Sequence, residues 1–210
     1  MNVRLKYDLP FTAGIYHNGS FYMNNYTLRV LMATVSEDPD DHTTAFERLK
    51  YFICNCMEST VFINADETEQ CNQYVQAGLR ITTMPGDPVD QLIGIMLYHK
   101  LNAVMENRMV VYETELSSAM GEYMVYLHSE EENTVGYAQP NWWTTADLVH
   151  SDFVLGNSDN VVSIPQVTEW GELELAWADD LDVDLDVDLD NDSSGNIVVF
   201  ADFKPSNGSK

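Results

Sequence analysis

Between Met109 and Phe203 this chain carries no lysine and no arginine. Nearly half of the protein therefore lacks a side chain that can hold phosphate by charge. Of 10 basic and 34 acidic side chains, 8 and 13 fall in residues 1–108, which leaves 2 and 21 for residues 109–210; the nets are −5 and −19 within a total of −24. That balance excludes direct nucleic-acid binding and attachment to anionic membrane surfaces, and it favours basic partners or divalent cations. Cysteine is scarce as well. Cys54, Cys56 and Cys71 are an odd number, cannot close a disulfide framework, and are expected as free buried thiols. Cys54 and Cys56 stand two apart on an expected helix, point to different sides, and do not clamp zinc. No apolar run approaches the roughly 18–20 residues of a membrane span. The opening residues, Met1 to Asp8, lack the apolar stretch of a signal peptide, so none is expected. Also missing are Gly-x-Ser-x-Gly, a phosphate-binding loop, a dinucleotide fingerprint and a His-Glu-x-x-His helix. The five histidines (His17, His42, His99, His128, His150) show no metal-ligand spacing.

What is present is ample material for a core, at 45% apolar residues in 210. Asn18-Gly19 between the β-rich runs 13–17 and 21–36 predicts a hairpin, because both residues tolerate the positive φ that a two-residue turn demands. Ala45, Phe46, Leu49, Phe52, Ile53 and Cys56 recur at three- and four-residue spacing and predict a helix over 43–58, with Asp40 and Asp41 at its positive end. Residues 61–64, 79–83, 109–116 and 122–128 read as strands. A short helix over 67–77 is expected, capped by Asp66 and stopped by Gly78. Asp87 as cap, Pro88 at the first helical position and Asp90 in the first turn open a longer helix with the stripe Val89, Leu92, Ile93, Met96, Leu97, Leu101 and Val104. The fold class is α+β: a largely antiparallel sheet with two main helices on one face, read as a split β-α-β-β-α-β (ferredoxin-like) core with an added N-terminal hairpin and C-terminal strands. One domain spans 1–178, with 130–165 as a long loop or small subdomain. An acidic tail spans 179–210, with 197–203 as a candidate closing strand.

The tail holds the sharpest pattern. Asp180, Asp182, Asp184, Asp186 and Asp188 alternate with leucine or valine. In an extended chain they share a face about 6–7 Å apart, within a Debye length of roughly 10 Å, and repel one another. Unpaired, the tract reads as a solvated tail. Paired, it meets a basic protein surface or imitates the charge spacing of a nucleic-acid backbone. Asp190, Asp192, Ser194 and Asn196, with Gly195 and Ile197, match the first eight positions of a calcium loop. The twelfth position is Ala201 and not glutamate, so only weak calcium binding is expected there, with no other cofactor. Trp142 and Trp143 are candidate anchors for a protein partner or, alternatively, packed residues. Gly86 precedes a helix N-terminus, but Asp87 and Asp90 already occupy that positive end and disfavour an anion.

Several stretches carry a resemblance: residues 47–53 (ERLKYFI), 81–94 (ITTMPGDPVDQLIG), 100–109 (KLNAVMENRM) and 126–132 (YLHSEEE). They resemble a protein family, without an assigned activity, encoded by contractile-tailed phages that infect marine cyanobacteria. The resemblance covers roughly residues 1–180 and brings no functional residue with it. It implies a setting, the cytoplasm of an infected bacterium or a virion. With the charge balance, these readings lead to an expectation of a non-enzymatic acidic interaction protein that binds a basic partner, such as a nucleic-acid-binding protein, by electrostatic complementarity. The alternatives are a virion structural or assembly component and, least favoured, a divalent-metal-dependent enzyme. The sequence does not set the oligomeric state.

Overall fold

The structure, a computed structural model, describes residues 4–129, 140–148 and 169–178. Strand β1 (Arg4–His17) turns through Asn18 and Gly19, at φ 51° and 73°, into β2 (Ser20–Thr34). The two pair along their whole length, from Arg4 opposite Ala33 to His17 opposite Ser20. This is the hairpin that the Asn-Gly pair predicts. Helix α1 (Pro39–Tyr51) begins one turn earlier than its apolar stripe suggests. Asp38 caps it by accepting from the Asp40 N–H at 2.9 Å, and Pro39 takes a position where no N–H is needed. The same helix continues into a π-helical stretch over Phe52–Met57. Then come β3 (Val61–Asn64), α2 (Thr68–Gln76), β4 (Ile81–Met84), α3 (Asp90–Val104), β5 (Met109–Ser118) and β6 (Tyr126–Ser129), followed by a 3-10 turn at Asn141–Trp143.

The six strands form one sheet in the order β4-β3-β1-β2-β5-β6. It is mostly antiparallel, and β3 runs parallel to both β1 and β4. The α+β class and the two main helices on one face agree with the sequence reading. Connectivity inside that frame differs from the split unit. Full-length pairing with β1 occupies the edge of β2 that the split unit gives to a later strand, so β3 and β4 are carried outward beyond β1. Leu9, Phe11, Ala13 and Ile15 of β1 and Tyr26, Leu28, Val30 and Met32 of β2 share one core with Leu49, Ile93, Leu97 and Leu101 of α1 and α3. Phe62 of β3 joins that core, whereas its neighbours Val61 and Ile63 pack with Cys71 and Val75 of α2. Adjacent strand residues point to opposite faces, so α2 lies on the other side of the sheet. Buried on nearly every side, α3 has no narrow stripe; Val89, expected within it, precedes the helix and is exposed. No helix among the described residues is long and apolar enough to cross a membrane.

Two expected caps are not formed. The Asp87 carboxylate accepts from Asn64 Nδ2 at 3.3 Å and lies 3.6 Å from His17 Nδ1, so it ties the hairpin to the end of β3 and leaves α3 uncapped by a side chain. Asp66 donates its own N–H to Asn64 Oδ1 at 3.0 Å, and α2 starts after Glu67 without a side-chain cap. Gly78, at φ 80°, ends α2 as expected.

The chain returns to the core at two later points. Lys100 of α3 is fully buried, and its ammonium donates to the carbonyls of Trp142, Thr145 and Asp147 at 2.9, 2.8 and 2.5 Å. Burial pushes this lysine down to about 8, opposed by the negative charge of Asp147. Arg48 of α1 is also buried. Its guanidinium lies 3.9 Å from the Trp177 ring centroid and 4.8 Å from that of Trp170, donates from Nε to the Leu175 carbonyl at 2.7 Å, and pairs with Glu106 at 3.4 Å. Glu106 also accepts from the Trp177 indole. Both cations thus act as internal fasteners for segments that contribute little regular structure of their own.

Candidate functional site

The sheet's inward face turns polar at one end. On β2 the inward residues run Met32, Val30, Leu28, Tyr26 and then Asn24. On β5 the parity is set by a bulge where the register shifts opposite Leu31 and Met32. Met109 and Val111 point inward before it, and Thr114, Leu116 and Ser118 after it. An unbroken alternation would have turned Ser117 inward in place of Ser118. Ser118 is paired with Tyr26 across the strands. Above both stands Asp90, the first residue of α3.

Four buried polar side chains therefore meet at this corner: Asn24, Tyr26, Asp90 and Ser118. The Ser118 hydroxyl donates to Asp90 Oδ2 at 2.6 Å and accepts the Gly121 N–H at 3.0 Å. Asn24 Oδ1 accepts the Met120 N–H at 3.0 Å. Among the described residues, Asn24 Nδ2 and Tyr26 Oη have no partner in good hydrogen-bond geometry, although each residue is only 2% exposed; what acts on the Tyr26 phenol is the Asn24 side chain itself. Leaving a buried polar group unpaired costs about 1–3 kcal/mol, so two side by side call for an explanation. The Tyr26 ring is held rigidly, stacked on Phe11 at 4.8 Å and edge-on to Phe62 at 6.0 Å. Burial raises the Tyr26 phenol well above its usual range. A side-chain hydrogen-bonding interaction with Asn24 opposes that effect, and the Asp90 charge adds to it. Burial also raises the Asp90 carboxyl, against the Ser118 hydrogen bond that lowers it. Asp90 is thus placed to hold or release a proton at a corner that water scarcely reaches.

Residues 119–125 fold over this corner. The Gly121 backbone rests on the Asp90–Ser118 pair: a Cβ built there would lie 2.5 Å from Asp90 Oδ2 and 3.2 Å from Ser118 Oγ. Glu122 and Tyr123 follow at φ 53° and 60°, two consecutive non-glycine residues in the left-handed region. Such positions cost of order 1–3 kcal/mol each and cluster at functional sites.

The other titratable clusters offer less. Tyr98, His99 and His128 form a ring cluster between α3 and β6, with His128 4.7 Å from Tyr98 and 5.9 Å from His99 by centroid. Burial, and then the neighbouring His128, lower the pKa of His99. All three have partners. Cys54, Cys56 and Cys71 are free as expected, but Cys54 is exposed. Burial pushes the Cys56 thiol up to about 11, which makes it a poor nucleophile. No group of three or more His, Cys, Asp or Glu among the described residues could hold a metal ion.

Few of the residues singled out from sequence meet at this corner. Trp142 and Trp143 are in the core, at 2% and 0% exposed, packed edge to face at 6.2 Å. Both rings lack a solvent face, which is the packed alternative that the sequence left open for this pair. Asp180, Asp182, Asp184, Asp186 and Asp188, and the calcium-loop residues Asp190, Asp192, Ser194 and Asn196, lie outside the described residues. Of the corner residues, the sequence reading takes Asp90 only as charge at a helix end, Asn24 and Tyr26 only as positions in the β-rich run 21–36, and Ser118 only as part of the turn after residue 116. One signal was legible: Asn24 continues the inward parity of Tyr26, Leu28, Val30 and Met32, where an apolar residue belongs.

No family model matches the chain, and no curated protein matches it. Solved structures do. One is a 6-pyruvoyl tetrahydropterin synthase from Plasmodium vivax, 10% identical, with 61% of this chain and 97% of that one covered at a TM-score of 0.40. Two others are the E37A and E37C catalytic residue mutants of the same enzyme, each with a TM-score of 0.38 at the same identity and coverage. The expectation of a non-enzymatic acidic interaction protein is corrected accordingly. The solved structures this chain matches are of a named enzyme and not of an acidic interaction protein. At this identity the match assigns no residue and no reaction to the present chain.

Proposed function

We propose that this protein binds a small neutral molecule at the corner formed by Asn24, Tyr26, Asp90 and Ser118, and acts on it by acid–base chemistry through Asp90. The observation that carries this reading is a pair of buried polar groups, Asn24 Nδ2 and Tyr26 Oη, that have no partner in good hydrogen-bond geometry, beside a carboxyl whose pKa burial has raised. An amide N–H and a phenol O–H are donors, so the ligand supplies an acceptor, such as a carbonyl oxygen. The carboxylate repels an anion and accepts from an N–H or O–H, so the ligand is neutral and carries a donor next to its carbonyl. Asp90 exchanges a proton with that donor. Ser118 positions the carboxylate, and the stacked Tyr26 ring fixes the phenol. The corner excludes water, which strengthens each of these interactions.

Titration with simple cyclic amides such as 2-pyridone and 2-pyrrolidinone, followed by backbone NMR, tests the reading. The expected result is saturable shifts confined to residues 24–26, 90–92 and 117–124, lost in Asn24→Leu. Shifts spread over the surface, or unchanged in that variant, would refute it.

A further inference from the structure

We infer that residues 119–125 are a latch that opens independently of the sheet and gates the corner beneath it. The gating role rests on the binding reading above; the opening itself does not. Three observations combine. First, the turn covers the corner at contact distance, since Gly121 leaves no room for even a Cβ above Asp90 and Ser118. Asn24 and Tyr26 are almost wholly buried, and Met120 of the turn is hydrogen-bonded to Asn24, so movement of the turn uncovers that end of the corner.

Second, the cover is strained. Glu122 and Tyr123 are held in the left-handed region by short-range bonds: the Tyr123 N–H to the Ser118 carbonyl at 2.9 Å, the Met124 N–H to the Gly121 carbonyl at 2.9 Å, and the Glu122 N–H to the Ala119 carbonyl at 3.3 Å. Apolar burial adds little, because Met120, Tyr123, Met124 and Val125 are all exposed, Tyr123 at 71%. A segment with few buried contacts and stored backbone strain belongs to the low-stability end of a fold.

Third, beside the backbone bonds of Ala119 to the Asn25 carbonyl and of Tyr123 to the Ser118 carbonyl, two fastenings are the corner's own side chains. Met120 is tied to Asn24 Oδ1 and Gly121 to Ser118 Oγ. The Asn24 amide is planar, so a ligand that accepts from its Nδ2 fixes the same plane that presents Oδ1 to Met120. Occupancy therefore favours the closed latch, and an empty corner leaves it easier to open.

Amide hydrogen exchange on the full chain, read residue by residue, tests this without any ligand. In the wild type, Met120, Gly121 and Tyr123 are expected to exchange at least about tenfold faster than Leu28 and Val30, with little denaturant dependence, which corresponds to about 1.4 kcal/mol of separate opening. Gly121→Ala wedges the cover, and its φ is not positive, so the backbone accepts alanine. Exchange in the turn should rise several-fold while β1 and β2 stay unchanged. Asn tolerates the left-handed region better than Glu or Tyr, so Glu122→Asn with Tyr123→Asn should slow the same amides several-fold. Turn amides that exchange only with global unfolding, or a double variant that leaves their rates unchanged, would overturn the latch. Independent opening together with no fragment binding would leave the latch standing and reject the binding reading alone.

Discussion

Tyr26 and Asn24 set the terms at the level of single residues. If the corner is kept polar for a ligand, the empty protein bears a stability cost that substitution removes. Tyr26→Phe deletes a hydroxyl with no partner in good hydrogen-bond geometry among the described residues and keeps the ring stack on Phe11. It should be neutral or stabilising by up to about 1 kcal/mol in chemical denaturation. A loss of more than about 1 kcal/mol would mean that the hydroxyl is bonded after all. Asp90 gives a pH signature. Its folded-state pKa is raised, so the native state keeps the proton longer than the unfolded chain does. The stability this group contributes is present below the ordinary carboxylate range and is lost as pH rises through the folded value. Asp90→Asn removes the titration. The variant should gain on the wild type near pH 7, and the gain should shrink towards pH 3.5 in parallel urea melts. A gain independent of pH would show that burial does not perturb this carboxyl.

Among the elements, Lys100 shows how a buried cation organises a loop. Replacing it by methionine leaves the carbonyls of Trp142, Thr145 and Asp147 without their donor. Lys100→Met should free the 140–148 segment, with a red shift in tryptophan emission and proteolytic cleavage there before the sheet melts. Intact protection of that segment would contradict the fastening role. The wild-type ammonium, lowered to about 8 in the fold, binds its proton less tightly than in the unfolded chain. Its share of stability therefore rises with pH between about 8 and the ordinary lysine value. Elements with strong local signals were legible in the sequence. The Asn18-Gly19 hairpin, the α1 stripe and the Gly78 stop all follow from backbone preference or side-chain period. Caps were less legible, because Asp87 and Asp66 had competing partners in His17 and Asn64 that only the tertiary fold brings near. The corner was hidden for a related reason. Ser118 faces inward only because a bulge shifts the parity of β5, and a bulge has no local signature in this stretch. Composition drew attention to the aspartate tract, whereas the buried chemistry sits in residues of ordinary type.

For the molecule as a whole, the chain closes on itself through Arg48. Trp170, Leu175, Trp177 and Glu106 surround that guanidinium, so residues 169–178 belong to the same core as α1 and α3. Truncation after residue 178 should keep a cooperative thermal transition. Truncation after residue 168 removes the two indoles and the Leu175 carbonyl from Arg48, leaving Glu106 and the Val104 carbonyl, and should cost roughly 2 kcal/mol or more. Equal melting of the two truncated chains would remove the segment from the core. The central claim, that the corner takes a neutral ligand by a donor–acceptor pair, is tested most directly by a double-mutant cycle. Calorimetric affinity for 2-pyridone would be measured on the wild type, Asn24→Leu, Asp90→Asn and the combined variant. If one ligand bridges both side chains, each single substitution should weaken binding about tenfold or more, and the double should lose clearly less than the product of the two. Four equal affinities, or losses that simply multiply, would contradict the claim.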